Sequence, residues 1–201
     1  MLQKIINKLA SNPKIFIILR KIIENNFRGE KEVINKHFIC QTDDKILDLG
    51  CGTGEFSVYF NPEIYTGLDI EKGYIDFAQK NYKGNFLVGD ATCLPFSNNS
   101  FSKILIIGVL HHLDNEVSSL VLKEASRVLK DNGLMLIMED MATPRDNILT
   151  KFIHDFDKGK FIRTSENYKN LLRSDFKIIK DLIIKSGLCP YQVFLLKKKN
   201  D

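Results

Sequence analysis

"KILDLGCGTGEF", residues 45–56, decides how the rest of the chain is read. Its apolar run, Ile46, Leu47 and Leu49, stops at Gly50, Gly52 and Gly54. A buried strand that ends in glycines is a backbone turning tightly, with its amides open to a ligand. Outward from this stretch, strand-like runs recur at residues 64–68, 85–88, 103–107 and 134–138. Between them lie amphipathic segments near residues 56–60, 74–81 and 116–130. The last is the clearest. Val117, Leu120, Val121, Ala125 and Val128 share a face, Asp114 or Asn115 caps the start, and Asp131-Asn132-Gly133 ends it. Short apolar strands alternating with helices form βαβ units and a mostly parallel sheet.

The flanks add helices and a hairpin. Residues 1–40 read as helical, with Leu2, Ile5, Ile6 and Leu9 on one stripe. Pro13 opens a second helix, and Val33, Ile34 and Phe38 mark a third. These helices either form a lid over the sheet's crevice or extend the core. A helical insertion spans about 142–174. Ile148, Leu149, Phe152, Ile153 and Phe156 make one stripe, and a further helix follows Thr164-Ser165. Runs at 176–184 and 191–196, separated by Gly187 and Pro190, form an antiparallel hairpin. Lys197, Lys198 and Lys199 read as a solvated tail.

Length and charge narrow the function. The 201 residues suit effectively one domain, residues 41–201 behind the helical segment 1–40. A net charge of +4 is short of a committed nucleic-acid binder, so no DNA partner is expected. Cys40, Cys51, Cys93 and Cys189 make no C-x-x-C pair, which excludes zinc and dithiol motifs and predicts no metal. They read as apolar fillers of a reduced, cytoplasmic protein. The longest apolar run near the start, residues 15–19, is too short for a membrane span. Composition leaves monomer and homodimer open.

The glycine loop is a poor phosphate cradle. A dinucleotide fingerprint, G-x-G-x-x-G, wants a third glycine where this chain has Glu55. Asp48 and Glu55 flank the loop, and no Lys or Arg lies between Asp48 and Phe60. Two carboxylates repel a pyrophosphate and welcome a cation. S-adenosylmethionine (SAM) carries a sulfonium and an ammonium and no phosphate. The next strand ends supply partners. Asp69 is placed for ribose hydroxyls, and Asp90 with the amide of Ala91 for an adenine edge.

On "ILDLGCGTGEF", "YTGLDIEKGYIDFAQK", "VGDATCLPFSNNSFSKILIIGVLHHL" and "EASRVLKDNGLMLIMED", about half the chain resembles class I SAM-dependent methyltransferases. The resemblance implies a Rossmann-like, doubly wound α/β sheet of seven strands, order 3-2-1-4-5-7-6, with strand 7 antiparallel. It implies SAM as cofactor, with Asp48 near its amino group and Gly50 and Gly52 along its methionine part. Asp69 then binds ribose, Asp90 and Ala91 bind adenine, and Cys51, Ile70 and Gly108 complete the contacts. The implied reaction is SN2 transfer of the sulfonium methyl to an O, N or C atom of a small-molecule acceptor; the alternatives are a protein or RNA methyltransferase and a SAM-binding protein without catalysis.

Candidates for the acceptor side lie after the fourth and fifth strands. "GVLHHLDN" lacks the Asn/Asp-Pro-Pro-Tyr/Phe motif of nucleic-acid amino-methylating relatives. His111 stands there as a candidate base, or as a loop histidine bonded to backbone. His112 is a candidate substrate contact. Glu139 reads equally as a base or as a cap, and Asp140 as a substrate contact. In the insertion, His154 and Arg163 are substrate candidates, with Arg163 alternatively a structural ion pair.

Overall fold

Seven strands join in one sheet in the computed structural model, which describes residues 12–142 and 160–199. β1 (Ile46–Leu49), β2 (Tyr65–Asp69), β3 (Asn85–Val88), β4 (Phe101–Ile107) and β5 (Leu129–Asp140) are parallel. β6 (Phe176–Ser186) and β7 (Cys189–Lys198) form a hairpin, and β7 pairs antiparallel with β5. The order is β3-β2-β1-β4-β5-β7-β6, as the resemblance implied. The chain steps outward from β1 to β3 and then returns to the other side of β1 with β4. That reversal opens a crevice at the carboxyl ends of β1 and β4.

Strand alternation divides the core. All four residues of β1 are buried. Ile46 joins one apolar cluster with Tyr65, Phe86, Leu105 and Ile107, while Leu47 and Leu49 join another with Ile104 and Ile106. Asp48 therefore shares the face of Ile46 and lies under the N-terminal helices. On that face pack α1 (Pro13–Ile23), α2 (Arg28–His37) and α3 (Lys72–Asn81), through Ile17, Phe27, Val33, Ile34, Phe38, Ile75 and Ala78. On the other face pack α4 (Asn115–Val128) and α5 (Ser165–Leu172). Asn12 caps α1 by accepting from the amides of Lys14 and Ile15, with Pro13 just inside. Asp114 caps α4 through Val117 N, and Thr164 caps α5 through Asn167 N.

Five expectations change. Leu120 is 47 % exposed, and the buried face of α4 is Ser118, Val121, Leu122, Ala125 and Val128. Leu120 and Leu122 are two residues apart, hence on opposite sides of a helix, and packing chose Leu122. Asp131-Asn132-Gly133 does not end α4. Leu129 is already extended and pairs with Phe101, and these three residues bulge from β5 before its ladder with β4 resumes at Leu134. The segment after the glycine loop is a 3-10 turn, Glu55–Tyr59. The lysines are not a free tail: Lys197 and Lys198 pair within β7, and Lys198 also reaches Asp131. Pro190 likewise lies within β7. The stripes at residues 2–9 and 148–156 lie outside the described residues. No described helix is long and apolar enough to cross a membrane.

Candidate functional site

Three glycines with positive φ make the loop after β1: Gly50 at 72°, Gly52 at 54° and Gly54 at 86°. At Gly50 a Cβ would stand 2.4 Å from Val109 Cγ2, whereas at Gly52 nothing lies within 4 Å. The first glycine brings β1 and the β4 loop together. The second faces open space beside the loop's amides. Gly50 N and Cys51 N both donate to Leu68 O, which ties the loop to the end of β2. Cys51 is buried, and burial pushes its thiol well up.

Asp48 is 2 % exposed and accepts from the Tyr65 hydroxyl at 2.6 Å. Burial pushes its carboxyl from 3.8 up to about 7, against the Tyr65 bond and with help from the charges of Asp69 and Glu55. A neutral or half-ionised carboxyl at this depth becomes a full anion when a cation arrives. Glu55 is held by the hydroxyls of Thr53 and Tyr82. Asp69, at the end of β2, accepts from Gly52 N and from Glu71 N, each at 2.8 Å. Its carboxyl is also raised by burial. Ile70, beside it, is 67 % exposed, a large apolar side chain facing solvent at the crevice. Asp90 is exposed and forms an Asx turn, accepting from Thr92 N and the Thr92 hydroxyl, and these bonds hold its carboxyl low. Ala91 is half-buried next to it.

On the opposite side of the crevice stands Glu139. It is fully buried and accepts from Val109 N at 3.0 Å, Leu110 N at 2.9 Å and His111 N at 3.2 Å. It also meets His111 Nδ1 at 2.8 Å. A carboxylate from β5 thus caps the 3-10 turn Leu110–His112 and fixes the imidazole. Next to a carboxylate Nδ1 is the donor, which leaves Nε2 as the acceptor nitrogen whenever the ring is neutral. Gly108, at φ 68°, sits in front of the pair. A Cβ there would be 3.6 Å from both His111 Cε1 and Arg20 Nη2.

Consecutive residues of β5 point to opposite faces, which separates Glu139 from Asp140. Glu139 shares the face of Ile137, and Asp140 shares that of Met138. Asp140 lies opposite Tyr191 and is 2 % exposed, while its carbonyl accepts from the Tyr168 hydroxyl. His112 is exposed, its ring 4.1 Å from that of His111. Arg163 is 6 % exposed and donates to the carbonyls of Leu110, Leu113 and Phe161 and to Asn115 Oδ1. It braces the turn that carries His111 from behind instead of facing the crevice, a structural part in place of the expected substrate clamp. His154 lies outside the described residues. Among the described residues no group of His, Cys, Asp or Glu is placed to hold a metal ion.

Two contributors were not read from the sequence. Tyr65 holds Asp48, because parallel pairing sets Asp48 opposite Gly67 and the tyrosine ring two residues earlier reaches across. Arg20, from α1, lines the loop with Phe27, Asp48, Gly50, Gly52 and Glu55. Only the absence of Lys and Arg between Asp48 and Phe60 hints at either.

Comparison with known proteins identifies the family. A family model described as a methyltransferase domain matches residues 46–133. The O-methyltransferase rstn1 of Aspergillus nomiae is 30 % identical over 160 residues, 72 % of this chain and 70 % of that protein. The ubiquinone/menaquinone biosynthesis C-methyltransferase UbiE of Blochmanniella pennsylvanica is 30 % identical over 173 residues, 74 % of this chain and 67 % of that protein. The crystal structure of a SAM-dependent methyltransferase from Methanosarcina mazei shares the fold, with TM-score 0.67 at 24 % identity over 82 % of this chain and 97 % of that one.

Proposed function

The chain belongs to the class I SAM-dependent methyltransferases and its cofactor is SAM; from that premise we propose that it methylates an oxygen, nitrogen or carbon atom of a small-molecule acceptor, releasing S-adenosylhomocysteine. The observation that carries this reading is the meeting of the glycine loop, Gly108 and the His111–Glu139 pair at one crevice. The residues fit the cofactor. A buried Asp48 suits an ammonium, Gly52 leaves room for a ligand against backbone, and Asp69 ends β2 where ribose hydroxyls are met. Asp90, Ala91 and the exposed Ile70 suit an adenine.

When bound, SAM supplies an activated methyl on a sulfonium whose leaving group is a neutral thioether. This chain's residues align the partners and exclude water. Glu139 holds His111 with Nδ1 protonated, so Nε2 receives the proton that an acidic acceptor loses. His111 is 1 % exposed, and its Cε1 lies 3.6 Å from where a Cβ on Gly108 would stand, on the side that Arg20 of α1 also borders. Support for a small acceptor comes from UbiE, named for quinone biosynthesis, and from the missing Pro-Pro motif after β4.

Thermal melting and labelled turnover test the reading. SAM and S-adenosylhomocysteine should raise Tm and NAD should not, since only a ligand of the folded state stabilises it. Asp69→Ala should remove most of that gain; an undiminished gain would end the ribose assignment. Methyl-labelled SAM incubated with a metabolite extract should label small molecules, whereas label in protein or RNA alone would overturn the acceptor class.

A further inference from the structure

We propose that Arg20 is the carboxylate clamp of the cofactor site, reaching from α1 over the glycine loop to hold the amino-acid end of SAM. The inference rests on the cofactor reading above and adds a residue that neither the loop motif nor the family model contains, since that match begins at residue 46. The amino-acid end of SAM is a zwitterion. Its ammonium calls for an anion and its carboxylate for a cation. The loop supplies anions only, Asp48 and Glu55, and residues 48–60 hold no Lys or Arg. Arg20 is the one cation lining the space in front of the loop among the described residues.

The guanidinium is held there by three independent features. Glu24, one turn on, accepts from Nε at 2.7 Å and Nη2 at 3.1 Å, so the plane of the guanidinium is set. The Phe27 ring lies beneath it, 5.1 Å from centroid to Cζ. Phe27 is itself pinned against Phe56 of the glycine-loop turn, ring centroids 5.4 Å apart. The third feature is the link between α1 and α2. Asn25, Asn26 and Phe27 have φ of 49°, 57° and 57°, three successive left-handed residues without a glycine. Asparagine tolerates this conformation, whereas Phe27 in it is disfavoured by about 1 kcal/mol or more. This strained turn folds α1 back across the crevice, and such strain concentrates where a site is held in shape. Leu188 N donates to Ile23 O and anchors the end of α1 on the β6–β7 turn.

The space between Arg20 and the loop is about 20 Å³. That holds little more than one water, so α1 must yield outward for the carboxylate to enter. Arg20 then closes on it as a positioning residue, and the helix that carries it shuts the crevice behind.

Calorimetry with two ligands separates the clamp from its alternatives. S-adenosylhomocysteine carries the amino-acid end, and 5′-methylthioadenosine lacks it while sharing the rest. Arg20→Gln combined with Glu24→Gln keeps the neighbourhood neutral. The double variant should bind S-adenosylhomocysteine about tenfold or more weaker and methylthioadenosine within about twofold of wild type, the loss of a charged hydrogen bond. Arg20→Lys keeps the charge without the fork and should show a smaller loss on S-adenosylhomocysteine alone; it carries the same comparison if the double variant does not fold. Hydrogen exchange in α1 should slow with S-adenosylhomocysteine and not with methylthioadenosine. Equal losses on both ligands, or none on either, would overturn the clamp. Wild-type protein that binds neither ligand would overturn the cofactor reading together with it.

Discussion

Replacing Asp48 with Asn should stabilise the ligand-free fold at alkaline pH and weaken the cofactor. Asp48 is buried in the crevice with its carboxyl pushed from 3.8 up to about 7. An acid whose folded value is raised prefers its neutral form in the folded state. Its burial therefore weighs little below pH 4, and progressively more as pH rises to 7 and beyond. The full shift corresponds to about 4 kcal/mol, at about 1.36 kcal/mol per pH unit. Between about pH 5 and about pH 8 the Asp48 contribution declines by about 2.5 kcal/mol. Asn cannot ionise and keeps an oxygen to accept the Tyr65 hydroxyl.

Urea unfolding of both proteins at those two pH values measures the effect. The gap should widen in the variant's favour by about 2.5 kcal/mol between about pH 5 and about pH 8. Glu30, buried beside Glu24 and pushed up to about 8, declines in the same direction in both proteins and cancels in the difference. In the same buffers S-adenosylhomocysteine should bind the variant about 10- to 100-fold weaker, because its ammonium loses a charged partner. A gap that stays constant with pH would refute the reasoning. So would a variant that binds S-adenosylhomocysteine as tightly as wild type.

Two further perturbations test the scaffold around the site. Arg163→Met should strip the carbonyls of Leu110, Leu113 and Phe161 of their donor and destabilise by about 2–4 kcal/mol in chemical denaturation. Unchanged stability with a raised acceptor KM would restore Arg163 as a substrate clamp. Gly187→Ala places a Cβ 2.1 Å from Ile23 O at a φ of +58°, and should both destabilise by about 1–3 kcal/mol and speed hydrogen exchange in α1. Wild-type exchange in α1 would show that the β6–β7 turn does not anchor it.

The sheet was legible because its strands carry apolar runs and the crossovers from β2 to β3 and from β4 to β5 carry a helical period. The loop at Gly50, Gly52 and Gly54 was legible for the same reason: glycine reports a backbone need directly, and all three have positive φ. Errors fell where two local patterns competed. The sequence pattern put Leu120 on the buried face of α4, whereas the sheet's position selected Leu122. Asp131-Asn132-Gly133 has the composition of a helix stop, yet pairing of Leu129 with Phe101 drew these residues into β5.

The site divides along the same line. Asp48 lies in β1, Asp69 ends β2 and Asp90 follows β3, so local spacing located them. The roles of Glu139, Asp140 and Arg163 depend on what lies across the sheet. Glu139 caps a turn 28 residues earlier, Asp140 faces Tyr191, and Arg163 bonds carbonyls about 50 residues away. Nothing within a helix turn or strand period of these residues encodes those partners. Arg20 lies furthest from prediction. Its place over the glycine loop follows from a left-handed turn at Asn25, Asn26 and Phe27, in which burial of Phe27 overrides its local backbone preference. The sequence by itself thus determined a strand-and-helix alphabet and an acidic glycine loop suited to a cationic cofactor, because those signals are short-range. Only the tertiary structure decided which charges meet across that loop, because burial and long-range packing set both their protonation and their partners.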